Sequence, residues 1–299
     1  MMRSLYSAIS GLKAHQTKMD VIGNNIANVN TTGFKRSSVT FATALSQSIR
    51  GAGTPTPASG TAPSSTGGDT GGTNPIQIGL GTSVGAINQI MTQGSNETTG
   101  VPTDMMIQGN GFFALQDGNQ VVYTRSGAFS FDAQGYLVDP STGAYVLDAS
   151  STVPQGSTTA SPKYIQVPTG DTYSIDATGK VTAYKDGAVD SSAGGNIGIA
   201  LFANPAGLTS IGNNYYLPSN NSGDSGATTP DNPTLYGIGA TSNYPTGTSL
   251  VTGSLEMSNV DLSQEMTDMI TAQRGFQANS RVITVSDTLL QELIDLKRS

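Results

Sequence analysis

The tightest constraint on this chain lies at its two ends, where apolar residues recur every seven positions. Near the N-terminus Leu5, Leu12, Met19 and Ile26 keep that spacing, with Ala8, His15, Ile22 and Val29 each three positions behind. Near the C-terminus the row is Leu262, Met269, Phe276, Ile283 and Leu290. Such a period marks a coiled-coil-like seam, which needs a partner helix to cover it. Chain ends are ordinarily loose, so two end helices with apolar seams point to assembly.

The first pattern predicts one helix over residues 4–28, with Gly11 and Gly23 as weak points that each cost about 1 kcal/mol relative to Ala. Turn residues at 28–33 (Asn-Val-Asn-Thr-Thr-Gly) then stop it. The second predicts a helix over residues 259–298, with Asp261 as N-cap, Gln264 three residues on, and Lys297 and Arg298 where the helix dipole favours cations. Gly275 is its one interior weakness. Residues 51–74 are almost entirely Gly, Pro, Ser, Thr and Ala. They bury too little apolar surface to offset ordering and read as a flexible or extended linker.

Between residues 75 and 251 the signal becomes short β runs at 108–115, 120–125, 135–138 and 197–202, punctuated by turns such as Asp117-Gly118 and Asp186-Gly187. Residues 131–135 (Phe-Asp-Ala-Gln-Gly) echo 175–179 (Ile-Asp-Ala-Thr-Gly), which reads as reuse of one turn. The fold class is therefore α+β and multi-domain. Residues 1–30 and 256–299 form a discontinuous terminal helical domain, 31–75 an extended connector, and 76–255 a central all-β domain.

Composition narrows the function. The net charge of −7 and pI near 4.5 give no basic footprint for nucleic acid or an anionic membrane. Charged residues are only 12%, against about 25% in typical soluble domains, so close self-packing meets little repulsion. Lys13, His15, Lys18 and Asp20 interrupt the stretch that a cleavable secretion signal would need to be apolar. No run reaches the roughly 18 apolar residues of a membrane span.

Catalytic chemistry finds little support. The chain has no cysteine and one histidine, and His15 belongs to the N-terminal seam, poorly placed for proton transfer at a substrate. Gly109 and Gly111 precede Phe112 and Phe113, not a helix N-terminus, and Gly79-Leu80-Gly81 fails in the same way as a nucleotide loop. The sequence implies no cofactor and no metal site, and no enzyme. Met105, Met106, Met266 and Met269 read as seam or core packing.

Residues 7–12 (Ser-Ala-Ile-Ser-Gly-Leu), 19–28 (Met-Asp-Val-Ile-Gly-Asn-Asn-Ile-Ala-Asn) and 30–35 (Asn-Thr-Thr-Gly-Phe-Lys) strongly resemble the opening of the bacterial flagellar hook and rod axial proteins. The resemblance continues through 93–95, 107–113, 123–129 (Tyr-Thr-Arg-Ser-Gly-Ala-Phe) and the C-terminal helix. Within the family, residues 272–287, with Gly275-Phe276 and Arg281, and residues 202–208 look hook-like, where rod relatives tend to have Ala-Tyr and Lys. The hook is thus the first reading and the distal rod, a drive shaft in the basal body, the second. A secreted β-rich adhesin is a reading from another class. It would display Tyr215, Tyr216, Tyr236 and Tyr244 as an exposed cluster.

The resemblance implies a helical homo-polymer whose terminal helices line an inner tube beneath a β layer. It implies export through the flagellar secretion apparatus without a cleavable signal, and a location in the extracellular hook or basal body. The implied partners are rod, hook-filament junction and hook-cap proteins. A hook of this kind transmits motor torque as a universal joint, the connector letting the outer layer slide as the tube bends. The further outer domain of larger hook proteins is expected to be absent or vestigial here. The subunit-packing residues are then Leu5, Leu12, Met19, Ile22, Ile26, Leu262, Met269, Phe276, Ile283 and Leu290. Five buried apolar residues return roughly 1.5–3 kcal/mol each, against about 1–2 kcal/mol for every residue ordered. One row on one partner is too little, so neighbouring subunits must cover the ends on several sides.

Overall fold

The computed structural model describes residues 2–54, 71–151, 163–185, 187–223, 235–236 and 248–298. They divide into two compact units of discontinuous sequence. The first comprises Met1–Asn24, Ser37–Asn88 and Ser263–Ser299, and the second Asn25–Arg36 and Gln89–Leu262.

The first unit holds two helices, α1 (Met2–Ala27) and α2 (Leu262–Arg298), of 26 and 37 residues. A Cβ added at Gly11 would lie 2.6 Å from Asn279, and one at Gly275 would lie 2.6 Å from the His15 ring. Position 11 meets 279 and 15 meets 275, so the helices are antiparallel. Two of the three glycines that look like weak points in the sequence, Gly11 and Gly275, make room for a side chain of the opposite helix. A helix-propensity loss is traded for close approach, and the larger His15 and Asn279 side chains fill the space.

A two-stranded ribbon completes this unit. The strand Ser37–Thr43 pairs with Thr82–Gln89, and Ser46–Arg50 pairs with Ile76–Gly79. Amides of Ala44 and Leu80 bridge the two pairings, and Gly53 and Thr73 extend the ladder. Phe41 meets the His15 ring edge-on, with centroids 5.7 Å apart, and the Ser10 hydroxyl accepts the Thr82 amide at 3.2 Å. Residues 76–89, grouped by sequence with the central β domain, therefore pair with the segment read as a connector. The physical reason is a period of two in Ile76, Ile78 and Leu80, which faces Leu45 and Gln47 across the ribbon. Of the expected linker at 51–74, residues 55–70 lie outside those described.

The second unit is β throughout its described core. Its largest sheet runs in the order Thr209–Gly212, Tyr215–Leu217, Gln120–Thr124, Phe112–Asp117, Tyr145–Val146, Leu137–Val138 and Ser130–Phe131, with Ile199–Ala200 also pairing to Phe112–Asp117. Phe113 and Leu115 enter one buried cluster with Met105, Ile107, Ile165 and Ile197. Phe112 and Ala114 enter another with Tyr123, Leu208 and Tyr216. The strand is covered on both faces, which is why its sequence is continuously apolar rather than alternating. The run expected at 108–115 is in fact two strands, Met105–Gln108 and Phe112–Asp117, broken at Gly109–Gly111.

The repeated turn does recur. Gly135 and Gly179 both take positive φ, 83° and 74°, and donate to the carbonyls of Asp132 and Asp176 at 3.0 and 2.8 Å. In each turn the aspartate also accepts a nearby backbone amide, so the Asp-Ala-x-Gly string encodes one local geometry twice.

The seam makes opposite demands at two helix glycines. At Gly23 an added Cβ meets nothing within 4 Å. Gly23→Ala should stabilise the helical signal by about 0.5–1 kcal/mol in thermal melts followed by circular dichroism. Gly275→Ala should forfeit that gain against His15, and equal gains would show that the ring is not wedged there.

Candidate functional site

The first candidate is the surface of the terminal helices. Ile22 is buried, while Leu5, Leu12, Met19 and Ile26 are half-buried on the same helix. On α2, Met269, Phe276, Ile283 and Leu290 are half-buried and Leu262 is exposed. The better covered positions of α2 are Glu265, Ala272 and Ser286, small or polar residues that fall between the apolar ones at spacings of three and four. The covered stripe of α2 therefore includes Glu265, Met269, Ala272, Gly275, Phe276, Asn279, Ile283, Ser286 and Leu290. A search for apolar residues alone finds only every second step of it.

A second row on α2 is uncovered. Val282, Val285, Leu289, Leu293 and Leu296 follow one another at helical spacing, and all are exposed, Leu296 at 72%. Given the register at 11 with 279, the last turns of α2, from about Leu289, run past the first residue of α1. The ribbon repeats the pattern on strands: Leu45, Ile49, Ile76, Ile78 and Leu80 are exposed too. Apolar rows of this length on both elements exceed the scattered exposure of ordinary surfaces.

The second candidate is a buried ionic cluster in the β unit. Lys35 Nζ donates to Glu256 Oε1 at 2.6 Å, and Arg125 Nη1 to Glu256 Oε2 at 3.2 Å, with side-chain exposures of 0% for Lys35 and Glu256 and 4% for Arg125. Glu256 Oε1 also accepts the Gly94 amide, and the Glu256 carbonyl accepts the Gly33 amide. Lys35 donates onward to the Thr92 carbonyl, and Arg125 to the carbonyls of Ile107 and Gly109. Burial pushes both cations below their ordinary pKa, and Glu256 opposes that push. Asn259 adds a neutral tie beside it, accepting the Arg36 amide and donating to the carbonyls of Ile90 and Thr92.

This cluster joins three stretches of sequence, 33–36, 92–125 and 254–259, at one point. It clamps a chain path and offers no nucleophile or open proton-transfer group. Sequence reasoning placed Lys35 and Arg125 inside family-like motifs without seeing that they meet, and did not single out Glu256. The signal was a buried-type motif carrying a charge, because an ion inside an apolar run needs a partner.

Two of the four tyrosines that an adhesin would display are buried, not exposed. Tyr215 and Tyr216 are buried, Tyr215 donating to Asp139 Oδ2 at 2.7 Å, and burial pushes the Tyr216 hydroxyl up to about 12. Tyr244 lies outside the described residues. His15 sits in the helix seam, where its Nδ1 is buried without a hydrogen-bond partner.

Three family descriptions match this chain. "Flagella basal body rod protein" covers residues 5–35, "Flagellar hook protein FlgE/F/G D1 domain" 106–183, and "Flagellar basal body rod FlgEFG protein C-terminal" 251–296. The flagellar basal-body rod protein FlgG of Bacillus subtilis is 46% identical over 100% of both chains. The chain belongs to the flagellar hook and rod axial proteins. FlgG of Agrobacterium fabrum is 38% identical over 96% of this chain and 97% of its own. The flagellar hook protein FlgE of Borreliella burgdorferi is 29% identical over 99% of this chain and 100% of its own, in an alignment of 464 positions. The family matches contain all three members of the ionic cluster: Lys35 in the first, Arg125 in the second and Glu256 in the third.

Glu256→Gln strands two buried cations without a carboxylate and should cost about 3–5 kcal/mol in urea unfolding of the β unit. Lys35 loses its proton more readily folded than unfolded, so between its folded pKa and 10.5 the unfolded chain binds more protons and stability rises with pH. The stability of wild type relative to Lys35→Met should therefore climb from neutral pH towards 10.5, and a flat difference would remove the charged lysine from the cluster.

Proposed function

We propose that this axial protein is a structural subunit of the distal rod of the flagellar basal body, polymerising through its terminal helices into a tube that carries torque, with no catalytic role. The observation that carries the polymer is the uncovered apolar row of α2, Val282 to Leu296, which continues past the end of α1. Each of these residues would gain roughly 1.5–3 kcal/mol on full burial. Copies of the same chain supply that cover in a tube. The ten residues named for subunit packing divide accordingly: Ile22 is buried and eight are half-buried within the subunit, and the exposed Leu262 joins the outward-facing set.

The rod reading rests on length and on the ribbon. Full-length pairing with rod proteins of equal extent contrasts with the hook alignment, whose 464 positions exceed the 299 residues of this chain. The residues that look hook-like in sequence do local work instead. Gly275 makes room for His15, and Phe202 packs against Phe112 and Tyr123, needs that a rod and a hook share. The sliding outer layer of a universal joint calls for a loose connector, whereas residues 37–53 and 73–89 are paired into a ladder. A paired ribbon with an apolar face favours a stiff tube over a bending one.

Export without a cleavable signal, and neighbours within the rod and hook, follow from the same reading. Leu289→Glu combined with Leu293→Glu should leave the monomer's thermal unfolding within about 0.5 kcal/mol of wild type, since both side chains are already exposed. It should abolish sedimentable polymer, and a double variant that still polymerises would discard the α2 row as the contact.

A further inference from the structure

We infer that a cleft beside Arg125 is a docking site for an acidic side chain from a second copy of this chain, an inference that rests on the polymer reading above. The cleft, of about 120 Å³, is lined by Met91, Phe112, Leu201, Phe202, Pro205 and Arg125, with Ala203 at its rim. Ligand sites for cofactors run to roughly 300–1,000 Å³, so this one fits a single side chain. Phe202 and Phe112 stand edge to face at 5.8 Å, and the Arg125 guanidinium lies over the Phe112 ring at 5.4 Å. The walls are fixed in advance.

Charge decides the occupant. Lys35 and Arg125 share one carboxylate, Glu256, so the buried cluster carries an excess positive charge. Arg125 makes three hydrogen bonds, to Glu256 and to the carbonyls of Ile107 and Gly109, and its buried Nε has no partner. A guanidinium has five N–H donors, so its three hydrogen bonds leave Arg125 with donors to spare for a carboxylate. Among the residues lining the cleft Arg125 is the sole charged one. The complementary surface is plentiful on another copy, since each chain carries 21 acidic residues against 14 basic ones. An acidic side chain entering between Phe112 and Phe202 brings the missing charge and buries its stem on the two rings.

The chain has no cysteine, so Ala203→Cys provides a unique and exposed thiol at the rim. Labelling the folded variant with N-ethylmaleimide fills the cleft. The critical concentration for polymerisation should rise about tenfold or more over the unlabelled variant, as expected for loss of a charge-assisted hydrogen bond. Wild-type protein tests the chemistry independently: acetate replacing chloride at equal ionic strength should also raise the critical concentration. A polymer indifferent to both label and acetate overturns the docking alone, whereas wild type that never polymerises overturns the polymer reading and the docking with it. If acetate shifts the Arg125 Nε–H resonance of the monomer yet leaves assembly unchanged, the cleft takes a free anion and the second-copy docking is wrong.

Discussion

Glu256 is cut off from water while it accepts hydrogen bonds from Lys35, Arg125 and the Gly94 amide, so the chain around it has no freedom to drift without exposing a bare charge to an apolar interior. Those partners come from the segment that leads into the β unit, from its central hairpin and from a loop. Glu256 itself lies in the strand that leads out, Ser254–Glu256, paired with Asn96–Thr98. The ends of a long β excursion are thus pinned side by side. Hydrophobic burial could hold the sheet together, but it is non-directional. The ionic cluster sets the register of chain entering against chain leaving.

The helical unit uses a different device for the same purpose. Its seam mixes large side chains with small ones, Gly11, Ala272, Gly275 and Ser286 lying at or beside the contact. Small residues admit close backbones, and His15 and Asn279 key the register by filling the spaces opposite glycine. What remains outside is a row of Val and Leu that a lone subunit leaves in water. A row of large apolar side chains left in water suits a part whose stabilisation is completed by its neighbours.

The seven-residue rows were legible because helical periodicity is local, and so was the Asp-Ala-x-Gly turn, whose hydrogen bonds lie within five residues. Phe112–Asp117 was legible as a strand but not as two faces of two clusters, since its alternation is erased by burial on both sides. The ribbon was missed because the Gly- and Pro-rich stretch at 51–74 outweighed the alternation of Ile76, Ile78 and Leu80 beside it. Lys35, Arg125 and Glu256 are separated by 90 and 131 positions. Nothing local in the sequence says that they meet; only the topology brings them together. The comparisons back the rod alternative better than the hook; Gly275, which makes room for His15, reports on helix packing, which does not distinguish a stiff tube from a bending one.

The central claim is that the full chain alone builds a stiff, open-ended tube through its terminal helices. Electron microscopy of concentrated, purified full-length protein tests it most directly. The account predicts straight tubes of variable length, with the Val282 to Leu296 row of α2 covered by other copies. Curved tubes would restore the hook, and a closed oligomer of fixed size, or a Val282 to Leu296 row left in solvent in the polymer, would contradict the account.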